Sequence, residues 1–428
     1  MKVRLVYPRF ARFRDTHPEL ESLPEIAGLW KYRMPPALGL QILAALMPDD
    51  VEWSVTDANL DPLDFDEAVD LVAISFFTPQ ASSAYAIADA YRARGTKVVL
   101  GGMHPSMVPE DARPHADSVC VGEAETLWPI ILDDARHGRL QPSYGPARTA
   151  PETWVRPRRS IFDRPGVYDW HAALVQVIRG CPRACPYCNI PEYQGRAFRF
   201  RDLDDVVDDI ASLHGREFYV TEDTVMFKTR AVDRYATELF ERLADLDARV
   251  FLTTAFGLNE RPAFLDTLAR GGAQCMYVTF GFDPISEGVY RGDRRFVERA
   301  KASVAAFQDR GIRFFGAFGV GFDDDDPGTF DRILAFCEEA GVVTAEFFIA
   351  TPFPNTPLWH QWRAEGRLLH TDWARYNCAN VVHRPRHMTE TELMDGFLRL
   401  WREFYSRVPV EDSLSCFTDT PHAYAGRR

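Results

Sequence analysis

No stretch of this sequence is long and apolar enough to span a bilayer, so no membrane-crossing segment is expected. Tandem repeats and low-complexity tracts are also missing, which leaves ordinary globular domains. Positive charge is in short supply: 49 Lys and Arg stand against 62 Asp and Glu, a net charge of -13. Such a balance argues against nucleic acid or an anionic membrane as the main partner. The two basic patches, Arg156–Arg159 and Arg196–Arg201, are short and broken by apolar residues. They read as a solvated face or a site for an anionic cofactor. Cysteine is sparse too, with eight in 428 residues, which is no disulfide framework. The opening MKVRLVYPRF starts on a strand pattern with no apolar signal core, so a cytoplasmic location is expected. In a reducing compartment, clustered cysteines read as metal ligands and scattered ones as small core hydrophobes.

What is present points to two or three domains. Up to about residue 140, short β-branched runs alternate with helical patterns. Strands are expected at Val3–Tyr7, Val51–Thr56, Leu71–Ser75, Val98–Gly101 and Ser118–Val121. Helices are expected at Leu38–Met47, Ala81–Arg94 and Glu125–Arg136. This alternation implies a parallel sheet covered on both faces, in a flavodoxin-like doubly wound fold. Ligands of that fold sit beyond the carboxyl ends of the strands. Residues 141–170 are rich in Pro and Arg without periodicity and read as a linker. A second series fills 171–365, with strands at Leu174–Ile178, Phe218–Val220, Val250–Thr254, Met276–Phe280, Arg313–Val320 and Ala345–Ala350. Six strand–helix units are two short of a closed (β/α)8 ring, so a partial (β/α)6 barrel is expected. Residues 366–428 hold aromatic and helical pieces, notably Thr389–Tyr405, and read as a small, mainly helical cap. The aromatics gathered there, such as Trp362 and Trp401, read as packing of the cap for the most part. Cys378 and Cys416 read as ordinary cysteines.

The strongest signal is Cys181-Pro-Arg-Ala-Cys185-Pro-Tyr-Cys188, directly after the first strand of the second series. Three thiolates on one loop can each bind one iron of a cubane cluster. A closed structural site would need a fourth cysteine or a nearby histidine, and the sequence offers neither at short range. An open coordination position is what a catalytic metal requires. The bland alternative is three core cysteines or half of a zinc site.

The C-x3-C-x2-C spacing resembles the radical S-adenosylmethionine superfamily. That resemblance implies a [4Fe–4S] cluster whose open iron is chelated by S-adenosylmethionine, which one electron cleaves to methionine and a 5′-deoxyadenosyl radical. It further implies that Tyr187 meets the adenine through its backbone and that Glu222 or Asp223 meets the methionine amino group. Asp283 would lie near the ribose or amino group, and Gly319, in Gly316-Ala-Phe-Gly319-Val-Gly321, would let the adenine approach. For each acidic residue the competing reading is a solvated loop position, and for the glycines a tight turn.

A more particular resemblance lies ahead of the barrel. Pro35-Pro36-Ala-Leu-Gly-Leu, Thr56-Asp57-Ala-Asn59, Ile74-Ser75-Phe-Phe-Thr78-Pro79-Gln80, Gly101-Gly102-Met-His104-Pro105 and Val121-Gly122-Glu123-Ala-Glu125 are similar to the cobalamin-binding domain of cobalamin-dependent radical S-adenosylmethionine enzymes. Thr351-Pro-Phe-Pro354-Asn-Thr356-Pro357 extends the likeness toward the C-terminus. The resemblance implies cobalamin as a further cofactor, with Asp57, Asn59, Thr78, Pro79, Gln80, Gly101, Gly102, His104 and Glu123 near it and Thr351 near the S-adenosylmethionine. The Asp-x-His-x-x-Gly loop that supplies a cobalt-ligating histidine in other cobalamin domains is lacking. His104 reads better as a satisfied loop histidine, and Thr78 and Gln80 as amide or backbone contacts to the corrin. The activity implied is radical methylation of a small molecule, fed by an external flavodoxin- or ferredoxin-type electron donor. A cyclase or carbon–carbon coupling enzyme with an idle cobalamin domain, and a non-catalytic corrin or iron–sulfur sensor, are the alternatives.

Overall fold

The computed structural model describes residues 1–11, 13–22, 38–164, 173–215, 217–221, 229–254, 256–281 and 283–409. Pro35, Pro36, Glu222, Asp223 and Cys416 lie outside them.

The first sheet is built from β1 (Lys2–Tyr7), β2 (Glu52–Asp57), β3 (Leu71–Ser75), β4 (Lys97–Gly101), β5 (Ser118–Gly122) and β6 (Ser143–Ala147). The strands run parallel in the order β2-β1-β3-β4-β5-β6. Central strands such as β3, Leu-Val-Ala-Ile-Ser, are buried on both faces because helices cover each side, hence their unbroken apolar runs. The sixth strand is a correction: it falls inside the segment expected to be a linker. Ser-Tyr-Gly-Pro-Ala has no strand periodicity, and its proline is tolerated because β6 is an edge. Tyr144 fixes it by sinking into the core with Trp128 and donating to Asp134 at 2.7 Å.

The second sheet contains β7 (Ala173–Val175), then β10 (Glu217–Val220), β11 (Arg249–Thr254), β12 (Ala273–Phe280), β13 (Arg313–Val320) and β14 (Thr344–Ile349). They lie side by side in that sequence, all parallel, an incomplete ring with β7 and β14 at its ends. The expected first strand is shorter than its apolar run. After Val175 the chain leaves the sheet, and β8 (Ile178–Arg179) pairs antiparallel with β9 (Arg199–Phe200). The segment between these two short strands contains all three clustered cysteines.

Local sequence sets the helix starts. Asp202, Thr229 and Thr389 accept backbone N–H groups at the heads of helices Leu203–Ala211, Arg230–Leu243 and Glu390–Tyr405. Glu392 completes a capping box with Thr389. The last helix sends Leu393, Phe397, Leu400 and Phe404 into the barrel's outer core. Trp362, Tyr376 and Tyr405 are fully buried, so the C-terminal aromatics are largely packing. No helix among the described residues is long and apolar enough to cross a membrane.

Candidate active site between the two sheets

The carboxyl rims of both sheets border one cavity of about 720 Å³. Tyr7, Asp57, Ser75, Gly101 and Gly122 reach it from the first sheet, and Leu174, Gln176, Tyr219 and Thr221 from the second. Its inner arm runs under the first rim between Leu40, Leu43, Val99, Cys120 and Trp128 and is mainly apolar. A smaller space of about 230 Å³ adjoins it, with Thr78, Pro79, Gln80, Asn189 and Phe353 on its walls.

Of the residues expected near a corrin, Asp57, Asn59, Gly101, Gly102 and Glu123 line the large cavity and Thr78, Pro79 and Gln80 the small one. Their polar groups are largely engaged within the protein. The Gln80 amide donates to the Pro8 carbonyl at 2.8 Å and accepts from Phe77 N–H at 3.0 Å. Asn59 donates to Asp57 at 2.8 Å and accepts from Phe10 N–H at 3.1 Å. Burial, and after it the Asp57 charge, pushes the Tyr7 phenol up, so it stays a neutral hydroxyl. Gly102 is needed for shape: at φ 94°, a Cβ there would lie 2.7 Å from the Phe76 backbone nitrogen.

His104 faces away from the cavity. It is fully buried, with Thr78 Oγ1 3.2 Å from Nδ1, and Tyr85 Oη 3.1 Å and Asp111 Oδ2 3.3 Å from Nε2. Asp111 also receives the Trp373 indole N–H at 2.8 Å. The His104 contact, then the Tyr85 and Trp373 hydrogen bonds, outweigh partial burial and hold the Asp111 carboxyl below its ordinary value. The reading of His104 as a satisfied loop histidine therefore matches its surroundings. The added fact is that it ties the C-terminal segment to the first domain.

The cysteine loop is held at both ends. Gly180, at φ 86°, turns the chain where a Cβ would lie 2.1 Å from the Ala197 carbonyl oxygen. Cys181 N–H then donates to Gly195 at 2.9 Å, and Cys188 N–H to Cys185 at 3.2 Å. Cys181 is buried; Cys185 and Cys188 are half-buried. The Tyr187 hydroxyl is raised by burial first, then by the neighbouring Cys185 and Cys188 sulfurs. Its ring packs beside Phe322, Leu358 and Trp362, and Leu358 N–H donates to the Pro186 carbonyl at 2.7 Å. Just past Cys188, the Asn189 side chain lies against the Met103 sulfur, joining the loop to the first sheet's rim.

This donor set fits a cluster better than a single ion. Among the described residues no three His, Cys, Asp or Glu side chains converge on one point. A cubane takes one thiolate per iron, so its three sulfurs need no common centre. The cavity's apolar inner arm, glycine-lined rim and absent histidine likewise fit a corrin held by shape.

Other expected contacts have different surroundings. Asp283 caps helix Pro284–Tyr290, accepting from Ile285 and Ser286 N–H at 2.9 and 3.2 Å. At Gly319 the missing Cβ makes room for the Phe348 ring. The buried Thr351 hydroxyl donates to the Ile349 carbonyl at 2.9 Å, at the end of β14.

The sequence reading missed the joint that brings the domains together. Glu123 accepts from Thr149 N–H at 2.7 Å, its hydroxyl at 2.6 Å, and Arg199 at 2.5 and 2.9 Å. Arg179, two residues before Cys181, donates to Glu125 at 2.5 Å, lies 3.2 Å from Glu123, and stacks 4.2 Å over Trp154. Burial alone would raise the Glu123 carboxyl, but Arg199, Arg179 and Thr149 outweigh it and hold it low. Arg156, Arg159 and Arg201 pair with Asp205, Asp208 and Asp209. The two basic patches thus engage carboxylates of the chain itself. A Gly-Glu-x-Glu motif after β5 and scattered arginines were the only signals in the sequence.

Two parallel sheets that share a cavity at their rims, with a three-thiol loop beside it, set out room for ligands at a domain joint. Comparison with known proteins is specific on this point. The B12 binding domain model matches residues 32–132, and the Radical SAM superfamily model matches residues 175–337. The bacteriochlorophyllide d C-12(1)-methyltransferase of Chlorobaculum tepidum is 28% identical over 355 residues, covering 80% of this chain and 76% of that protein. The hopanoid C-2 methylase of Rhodopseudomonas palustris is 22% identical, over 100% of this chain and 80% of the other. The radical S-adenosylmethionine methyltransferase TsrM from Kitasatospora setae, solved with cobalamin and a [4Fe–4S] cluster, shares the fold with a TM-score of 0.61 at 17% identity. That match covers 85% of this chain and 78% of TsrM. The chain belongs to the cobalamin-binding radical S-adenosylmethionine enzymes.

Proposed function

We propose that this enzyme methylates an unactivated carbon of a small molecule, of a secondary-metabolite, lipid or pigment-like type. The observation that carries the reading is the large cavity bordered by both strand rims, with Ile190, just past the cysteine loop, in its wall. Cys181, Cys185 and Cys188 would hold the cluster. The first rim, with Gly101, Gly102 and the Tyr7–Gln80 side, would seat the corrin. Bound together, cluster, S-adenosylmethionine and cobalamin supply radical formation and methyl transfer. The protein's own residues align and shield that chemistry. The Asn189–Met103 contact and the Arg179–Glu125 pair hold the cysteine loop against the corrin rim, and the apolar inner arm keeps water from it. Thr351, with Tyr187 packed nearby on the barrel side, would face the S-adenosylmethionine. Glu222 or Asp223 is proposed as the partner of its amino group because a carboxylate suits an ammonium at short range. Electrons would come from a small flavodoxin- or ferredoxin-type donor.

The test is cofactor content and product balance in protein prepared anaerobically with cobalamin and reconstituted with iron and sulfide. The expected result is about four irons and about one cobalt per chain, with S-adenosylhomocysteine and 5′-deoxyadenosine formed alongside a methylated product. Iron without cobalt, and 5′-deoxyadenosine without S-adenosylhomocysteine, would overturn methylation in favour of cyclisation or coupling.

A further inference from the structure

Inside the barrel, the accessible residues are those turned toward the lumen. On β14, Glu346 and Phe348 are half-exposed while Ala345, Phe347 and Ile349 are buried. On β12, Tyr277 and Thr279 are half-exposed between buried Met276, Val278 and Phe280. Parallel register sets Thr279 beside Ala317 and Ala317 beside Glu346, one step above the Tyr277 layer toward the carboxyl rim. Tyr219 belongs both to this lumen face and to the wall of the shared cavity.

The lower wall is aromatic. Tyr219 meets Phe251 at 5.2 Å between centroids, and Tyr277 meets Phe315 edge-on at 5.0 Å. Its polar groups are few and placed. The Tyr219 hydroxyl bonds Thr253 at 2.7 Å, and the Tyr277 hydroxyl donates to Glu346 Oε1. Glu346 is the exception in charge. Among the described residues its one hydrogen-bond donor is Tyr277, and no Lys or Arg side chain offsets it. Burial, weakened only by that tyrosine bond, pushes its carboxyl up. A carboxylate enclosed by protein is costly unless a cation or further donors pair with it. Here the second oxygen is left for whatever enters the lumen.

We infer that Glu346, positioned by Tyr277, is a recognition point for an ammonium group on the methyl-accepting substrate, whose apolar body would lie against Tyr219 and Tyr277. This rests on the reading above that substrate meets both cofactors in the shared cavity. S-adenosylmethionine carries an ammonium as well, so the test must separate the two sources.

Phenethylamine and 3-phenylpropionate, alike in shape and opposite in charge, are the probes, titrated calorimetrically into the reconstituted holoprotein. Wild type is expected to bind the amine at least tenfold more tightly than the acid. Glu346→Gln, which keeps the volume, should abolish that preference, and Tyr277→Phe should reduce it by less. Equal binding of the two probes, or binding of neither, overturns the inference. A tenfold loss of S-adenosylmethionine affinity in Glu346→Gln also overturns it, by assigning the carboxylate to that cofactor. Wild-type holoprotein that retains the amine preference but makes no 5′-deoxyadenosine would sink the methylation reading and leave the ammonium site standing.

Discussion

The two strand rims face the same cavity but are finished differently. On the first, Gln80, Asn59, Asp57 and Thr78 are bonded to neighbouring residues of the same domain, and what meets the cavity is mostly glycine backbone and apolar wall. The second carries, on the loop beside it and on the barrel wall below it, three thiols in no disulfide and a carboxylate bonded to Tyr277. The contrast follows from the ligands each must take. A large preformed cofactor is held by shape, and polar groups without partners would only add a desolvation cost. A cluster and a small cation must be held by donor atoms that the protein leaves open. The first rim is a mould; the second is a set of ligands.

The sharpest way to break that contrast is at the thiols. Replacing Cys181, Cys185 or Cys188 by Ala should reduce 5′-deoxyadenosine formation to background and bleach the cluster's visible absorption, while cobalt content stays near wild type. Loss of cobalt and iron together would show that the rims are not independent.

Next in size is the joint between them. Glu123→Ala takes the carboxylate from half-buried Arg199 and leaves buried Arg179 only Glu125, and should cost about 1–3 kcal/mol, read by chemical denaturation. Its contribution has a definite pH sense. The folded carboxyl lies below its unfolded value, so the stabilisation is full above the ordinary carboxylate range and fades as pH falls through it. Wild type should therefore lose stability on acidification more steeply than Glu123→Ala; parallel curves would remove Glu123 from the joint.

Gly102→Ala tests the mould. The added Cβ meets Phe76 backbone in a left-handed conformation, a strain of about 1–3 kcal/mol, and cobalt retention should fall while iron is kept. Trp373→Phe deletes one bond to Asp111 and should cost about 1 kcal/mol without changing cobalt content. Asp283→Asn, which retains capping ability, should be nearly silent in stability. A marked loss of S-adenosylmethionine affinity there would return Asp283 to the cofactor.

Much of this architecture is legible in the sequence because it rests on periodicity. Leu71–Ser75, Pro262–Arg270, Arg313–Val320 and Thr329–Ala340 begin and end where their apolar patterns do. Periodicity fails for β6, an edge strand held by one tyrosine, and for Ile178, whose apolar character serves a short hairpin instead of the barrel. The cysteine loop is readable because metal ligands declare themselves by spacing within a few residues. The Glu123–Arg199 and Asp111–Trp373 pairs bridge 76 and 262 positions, and nothing local marks either partner. Residues that the resemblance puts at the cofactor, such as His104 and Asp283, stand just after a strand, and that place does not say which way a side chain turns.

The Trp373–Asp111 bond also orders events at the ribosome. A chain made from its N-terminus completes the first sheet long before residue 373 is translated. Until then Asp111 and the short helix around His104 lack their outer cover, so the nascent domain carries an unfinished seam while the barrel is being made. Sealing it waits for the segment around Trp373, so a residue made after the whole barrel closes a part of the enzyme built before it.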